Sequence, residues 1–359
     1  MTMPFSGQIS LGDARTELSG DYAPTSQITL NDTAVRSLFT KSGDSTNIQL
    51  SDGYGKRFRR VLSVLFTTNQ VNYNLCFSNL SGYVAGKTDV TLTINSGVYV
   101  YSTSTSIAGL TIACTTAGDT FTLNNNGYIM GMGGAGGDGP TATRQGKPGG
   151  TALKLGCDTV IFNNSYIAGG GGGGAAHGTS GGSGAGGGGG AGGGSGGRGQ
   201  FWTPGAAGGA GGGVGAVGSA GAFAQNGTST SSGFPRMDSG GGGGGRILPG
   251  SGGAYGTVPR AGGNNGFFTG QGGGAGGGGG GTVNAYDSAS FGGAGGAGSS
   301  SGNGPTFLYA GAGGGGWGAA GGNGHPVAGS TGGAGGKAID KSGYTVTFAS
   351  TGTIYGSVV

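Results

Sequence analysis

Hydrophobic and polar residues follow three different arrangements along the chain, and each arrangement predicts its own elements. Over residues 1–55 short alternating stretches recur. Gln8-Ile9-Ser10-Leu11-Gly12-Asp13 is echoed by Gln27-Ile28-Thr29-Leu30-Asn31-Asp32 and more loosely by Asn47-Ile48-Gln49-Leu50-Ser51-Asp52, with the isoleucines 19 and then 20 positions apart. The alternation predicts a short strand or extended segment at the head of each unit. In the first two units an Asp or Asn stands where a helix cap belongs, so short helices are expected over 14–18 and 34–39. Units this small do not bury a core alone, which predicts that they dock on something else and serve as an attachment region.

Residues 56–130 alternate over longer runs rich in β-branched and aromatic residues. Strands are expected over 61–67, 72–77, 90–94, 98–101, 110–113 and 120–123, bounded by Ser, Asn, Asp and Gly. Together they predict a small β domain. The last of these runs opens a module that returns twice. Thr120-Phe121-Thr122-Leu123-Asn124-Asn125-Asn126-Gly127-Tyr128-Ile129-Met130 resembles Thr159-Val160-Ile161-Phe162-Asn163-Asn164-Ser165-Tyr166-Ile167-Ala168 and Thr345-Val346-Thr347-Phe348-Ala349-Ser350-Thr351-Gly352-Thr353-Ile354-Tyr355. Strand, Asn/Ser/Gly turn and short strand read as β-hairpin modules. Gly335-Gly336-Lys337-Ala338-Ile339 likewise echoes Gly149-Gly150-Thr151-Ala152-Leu153.

The third arrangement has almost no side chains. Between Gly131 and Gly336 runs of Gly broken mainly by Ala and Ser alternate with mixed loops. Glycine makes up 101 of 359 residues, against about 7% in ordinary globular proteins. Collagen would need Gly at every third position and abundant Pro, and neither holds. Disordered chains are poor in aromatics and rich in charge, whereas charged residues are only 8% here and large apolar residues recur between the runs. Contacts made by Gly, Ala and Ser alone require backbones to approach closely. Polyproline II geometry permits this, because it has three residues per turn and every N–H and C=O points outward to a neighbour. The expected fold class is mainly β with a poly-glycine II helix sandwich: repeats over 1–55, a small β domain over 56–130, and a slab with variable loops and hairpin modules over 131–359.

Charge and chemistry narrow the function. A net charge of +4 does not imply nucleic acid. The basic run Lys56-Arg57-Phe58-Arg59-Arg60 reads as the solvated edge of the first strand, with a phosphate-rich surface as the alternative. Cys76, Cys114 and Cys157 have no metal-like spacing and predict a chain folded without disulfides in a reducing compartment. The N-terminus has no signal-peptide pattern and no apolar run reaches membrane-spanning length, which predicts cytoplasmic synthesis and no membrane insertion. His177 and His325 stand apart from any carboxylate or Cys at ligand spacing. Gly-x-Gly-x-x-Gly matches follow from composition, and Gly-x-Ser-x-Gly never falls between a strand and a helix. Carboxylates in the glycine-rich half are few, which argues against a paired-acid depolymerase. No cofactor, metal or catalytic group is expected.

In its alternation of Gly runs with aromatic loops, from about Ile129 onward, the chain resembles the glycine-rich tail-fibre adhesins of T-even-like bacteriophages. The resemblance implies a virion protein of the tail fibre, assembled in the host cytoplasm. Its N-terminal region would join other phage tail proteins, and its loops would bind a bacterial outer-surface protein or lipopolysaccharide. The N-terminal portion is longer than in those adhesins, which leaves a tail-tip, collar or fibre component without receptor contact as the alternative. If each Gly run crosses the slab once, loops 200–206, 246–271 and 299–310 share one end. Loops 175–180, 222–239, 282–291 and 317–331 share the other. The first set is denser in aromatics, so Phe201, Trp202, Arg246, Tyr255, Phe267, Phe268, Phe307 and Tyr309 are the candidate receptor-binding residues. Rings that cap the glycine helices are the structural alternative.

Overall fold

The computed structural model describes residues 59–113, 115–138, 145–176, 314–323 and 331–359 in full, parts of 8–50, residues 188–189, and the backbone of short strands between 177 and 309. The expected strands of 56–130 are present, but they stack as successive coils of a parallel solenoid. Coil one is β1 (Arg60–Phe66), β2 (Gln70–Val71) and β3 (Tyr73–Cys76). Coil two is β4 (Thr88–Ile94), β5 (Tyr99–Tyr101) and β6 (Leu110–Ala113), and coil three is β7 (Thr120–Asn125), β8 (Tyr128–Met130) and β9 (Leu153–Lys154). Coil four starts with β10 (Thr159–Asn163) and β11 (Tyr166–Ala168). It then leaves the solenoid and passes β12 (His177–Thr179), β13 (Gly182–Gly184), β14 (Phe223–Asn226), β15 (Arg236–Ser239), β16 (Ser300–Ser301) and β17 (Leu308–Tyr309) before closing with β18 (Ile339–Asp340). Coil five is β19 (Val346–Ser350), β20 (Thr353–Tyr355) and a bridge from Val358 to Ile339.

Each coil contributes one strand to each of three parallel sheets. Sheet A runs β1-β4-β7-β10-β19, sheet B runs β2-β5-β8-β11-β20, and sheet C runs β3-β6-β9-β18. Alternation puts every second side chain inside, so like residues form columns along the axis. In sheet A Leu92 pairs with Leu123 and Leu123 with Ile161, which pairs in turn with Phe348. Val100, Ile129, Ile167 and Ile354 make the column of sheet B, and Leu110, Leu153 and Ile339 that of sheet C. These columns form one continuous buried core.

The hairpin modules therefore need correction. The two strands of each module belong to different sheets and pair with the next coil, not with each other. The Asn-rich turns explain why. Asn125 and Asn163 are fully buried at the corner between sheets A and B, and Asn125 Nδ2 donates to Asn163 Oδ1 at 2.7 Å. Asn163 Nδ2 donates onward to the Thr351 carbonyl at 2.7 Å. The turn side chains satisfy one another along the axis, which bends the chain to a new sheet instead of reversing it.

The N-terminal units also differ from expectation. Helix α1 is Leu11–Glu17 and α2 is Thr33–Leu38, both starting before the expected positions. The cap of α1 is Ser10, with Asp13 closing a capping box from the third helical position. One unit later the same contact recurs, as Thr29 N donates to Asp32 Oδ2 at 2.8 Å. Residues 27–29 form no strand. The units bury Ala14, Leu18, Val35, Leu38 and Phe39 against one another, with Ile28 and Leu50 at the margin. They also dock: Lys87 Nζ, before β4, donates to the Glu17 carbonyl at 2.7 Å and lies 3.6 Å from its carboxylate.

Cys76 is disulfide-bonded, which overturns the expectation of a chain without disulfides, while Cys157 is free and buried. Neighbouring coils bring Cys76 opposite Ala113 in sheet C, a proximity that spacing in the sequence did not reveal. Among the described residues no helix is long and apolar enough to cross a membrane.

Candidate functional site

The glycine region leaves the solenoid at one corner, where sheet B hands over to sheet C. Coil two crosses that corner in residues 102–109, coil three in 131–152 and coil four in 169–338. On the outgoing side Ser102 N donates to Met130 O (3.0 Å), Gly131 N to Ala168 O (2.9 Å) and Gly169 N to Tyr355 O (2.9 Å). On the returning side Gly109 N donates to Thr151 O (3.2 Å), Ala152 N to Lys337 O (3.0 Å) and Ala338 N to Ser357 O (2.9 Å).

Beyond the corner the bonds recur at every third residue. Gly134 donates to Gly171 and Gly137 to Gly174, while Gly149 donates to Ala334 and Gly146 to Thr331. Segment 169–175 lies in the middle. Gly170 and Gly173 donate to Gly150 and Lys147, and Gly172 and Ala175 to Ala319 and Gly322. Gly315, Gly333 and Gly336 donate to its carbonyls in return. A methyl group on Gly170 would sit 1.9 Å from the Met132 carbonyl oxygen, and one on Gly172 1.9 Å from that of Gly333. Only glycine fits, because the neighbour occupies the space of a side chain.

An aromatic junction fixes this lattice to the solenoid. Tyr99, Tyr128, Tyr166 and Tyr355 project from the outer face of sheet B and stack with ring centroids 4.8, 5.4 and 6.4 Å apart. Trp317, carried by lattice segment 314–323, is 1% exposed and meets Tyr166 and Tyr355 edge-on at 5.6 and 5.5 Å. It packs with Met130 and Ala168, the last residues before the chain enters glycine. Burial raises the Tyr128 hydroxyl above its ordinary pKa, with further increments from Tyr99 and Tyr166, and burial also raises Tyr355. The sequence placed Trp317 at the head of a loop. Its role was missed, although the repeat of Tyr128 and Tyr166 at one module position marked the surface it covers.

Of the candidate receptor-binding residues, Phe201, Trp202, Arg246, Tyr255, Phe267, Phe268 and Phe307 lie outside the described residues. Tyr309 is described in its backbone alone, as the end of β17. Short strands of both expected loop sets are described by their backbones. β12 and β13 are antiparallel, so the chain turns back between them, at the end of loop 175–180. β13 then joins β15 and β14 in a four-stranded sheet. The β16–β17 pair, from the other expected set of loops, lies against β12 and β13.

Arg59, from the basic run, is engaged within the protein. It donates to both carboxylate oxygens of Asp89, to the Gly118 carbonyl at 2.7 Å and to that of Thr88 at 3.1 Å. Burial, followed by the charges of Asp119 and Asp158, pushes the Cys157 thiol up to about 12. Among the described residues no group of His, Cys, Asp and Glu is arranged to hold a metal ion.

Residues 61–238, just under half of the chain, match the family model described as phage tail fibre adhesin Gp38. Over that stretch the chain is similar to phage tail fibre adhesins. The chain is also similar to the crystal structure of the gp37-gp38 adhesin tip complex of the bacteriophage S16 long tail fiber. The identity is 18% and the TM-score 0.43, over 99% of this chain and 100% of that one. No curated protein matches the chain. The matched residues run from the first coil of the solenoid to β15.

Proposed function

We propose that the chain is a bacteriophage tail adhesin that binds a host-cell surface receptor through loops held on a polyglycine II platform. The family match over 61–238 carries this reading. The three-residue repeat of lateral hydrogen bonds and the absence of room for Cβ atoms support the polyglycine II assignment. Loops that leave a lattice without side-chain slack are held in place at small entropic cost, as rigid paratopes are. Phe201, Trp202, Arg246, Tyr255, Phe267, Phe268, Phe307 and Tyr309 are the proposed contacts with a bacterial outer-surface protein or lipopolysaccharide. Residues 1–55 form the proposed attachment region toward other tail proteins, 56–130 the β domain, and 131–359 the platform with its loops together with the modules that continue the solenoid. The protein acts without catalysis or cofactor, and assembly in the host cytoplasm belongs to the same reading.

One observation favours a second reading, a structural virion component without receptor contact. Trp317, an aromatic at the head of a loop, is buried as a packing residue. Binding of the purified full-length chain to intact host bacteria separates the two. The expected result is saturable binding that Trp202→Ala with Phe268→Ala abolishes while circular dichroism and thermal stability stay unchanged. Absence of binding to any host surface, or a double variant that unfolds, favours the structural reading.

A further inference from the structure

Hydrogen bonding passes from the solenoid into the glycine lattice without losing register, and we propose that the solenoid is the template on which the lattice folds. The inference rests on the polyglycine II reading of the lattice and not on any receptor role.

The handover can be followed residue by residue. In sheet B, Tyr166 to Ala168 pair with Tyr128 to Met130 in parallel, as β11 with β8. The ladder continues with Gly131 donating to Ala168, Gly134 to Gly171 and Gly137 to Gly174. The donor and the acceptor both advance by three residues, so the offset set by the strands is kept to the end of the segment. The returning side behaves alike. Ala152 donates to Lys337, Gly149 to Ala334 and Gly146 to Thr331, and the offset is again the one that β9 and β18 hold. Four lattice segments are thus continuations of strands already fixed side by side at strand spacing, about 4.8 Å.

That arrangement answers the main obstacle to folding polyglycine. Glycine loses more conformational freedom on ordering than any other residue, and a lattice of backbones has no side chains to choose a register. Free in solution, glycine segments could pair at any offset. Emerging from neighbouring coils, they start at hydrogen-bonding distance with the offset chosen. The solenoid itself needs no such help, since its columns of Leu, Ile and Val specify its register. Trp317 then locks the product, because it seats only where segment 314–323 has reached the tyrosines of sheet B.

The dependence is therefore one-way, and the full-length chain tests it. Refolding from guanidinium is followed by pulsed hydrogen exchange, comparing peptides of β4, β7 and β10 with those of 131–137, 145–150, 169–175 and 331–336. Strands are expected to gain protection before the glycine segments. Gly172→Val should strip protection from the glycine segments and leave the strands protected. Leu123→Asp, in sheet A and away from the lattice corner, should strip both. Glycine segments protected before or together with the strands overturn the proposal. So does a Leu123→Asp chain whose lattice stays protected, or a Gly172→Val chain that loses its strands. A wild-type chain whose glycine segments never gain protection overturns the lattice reading itself, an outcome distinct from any defect in bacterial binding.

Discussion

In the solenoid, adjacent coils are joined by backbone ladders and by columns of side chains, with Leu92, Leu123 and Ile161 fully buried along sheet A. In the lattice the contacts are backbone alone, and most positions have carbonyl oxygens about where a Cβ would stand. Two ways of being close-packed follow, and they fail differently. A side-chain core can lose a methylene and relax around the gap, at a cost that grows with the cavity. A backbone core has nothing to trim and no room to add. It is intolerant of every substitution, including alanine, at its interior positions.

Gly170→Ala is accordingly expected to have the largest effect. Its methyl group would lie 1.9 Å from the Met132 oxygen, and the segment is held on several sides, so no local shift relieves the clash. The cost should exceed about 4 kcal/mol, the range reached by few single substitutions. Denaturant melts read by hydrogen exchange over 169–175 check this, and a mild effect would show that the lattice has slack. Next comes Trp317→Ala, with a loss of about 3–5 kcal/mol for a large buried aromatic. The loss should appear in segment 314–323 and sheet B, with the sheet A strands little changed. Trp317→Phe should recover part of it, because the edge-on contacts with Tyr166 and Tyr355 need a ring and not an indole.

Asn163→Ala ranks third and probes the polar part of the solenoid. The side chain accepts from Asn125 and donates to the Thr351 carbonyl inside the core, so its removal leaves buried partners unpaired. A cost of about 1–3 kcal/mol is expected, read as a shift in the denaturation midpoint of the strands. An unchanged midpoint would mean that the ladder of amides is incidental to stacking.

How much of this was legible in the sequence follows from the same contrast. Strand positions were readable, because alternation reports burial of one face wherever the partner strand lies. Partnering was not, because Asn-Asn-Ser between two short strands suits a hairpin or a corner equally until the next coil supplies the acceptor for Asn125. Close backbone contact in the glycine region was readable, since runs of Gly, Ala and Ser offer no bulky side chains to pack. Trp317 was not, as its burial depends on tyrosines more than 150 positions earlier in the chain and on Tyr355 near its end. The proposed receptor contacts rest on composition alone, because loop aromatics carry no periodicity that distinguishes a buried ring from an exposed one.

The smallest effect belongs to the N-terminal units and sharpens the comparison through acid. The Ser10 backbone N–H and hydroxyl hold the exposed Asp13 carboxyl below the usual carboxylate range. A folded pKa that is depressed contributes stability that is fully present above the unfolded value, about 3.9, and lost as pH falls through the folded one. The capping of α1 should therefore be constant from pH 7 to 5 and weaken only below about pH 4. Segment 169–175 contains only Gly and Ala and has nothing to titrate, so the same acidification should leave its own contacts untouched. Amide exchange measured down to pH 2, corrected for intrinsic rates, should show protection of 11–17 falling while 169–175 holds. Asp13→Asn removes the titrating carboxylate, so its α1 should be less protected at neutral pH and insensitive to acid. Parallel acid loss in the wild type and Asp13→Asn would assign the sensitivity to another group. Loss in 169–175 would place a titrating contact under the lattice.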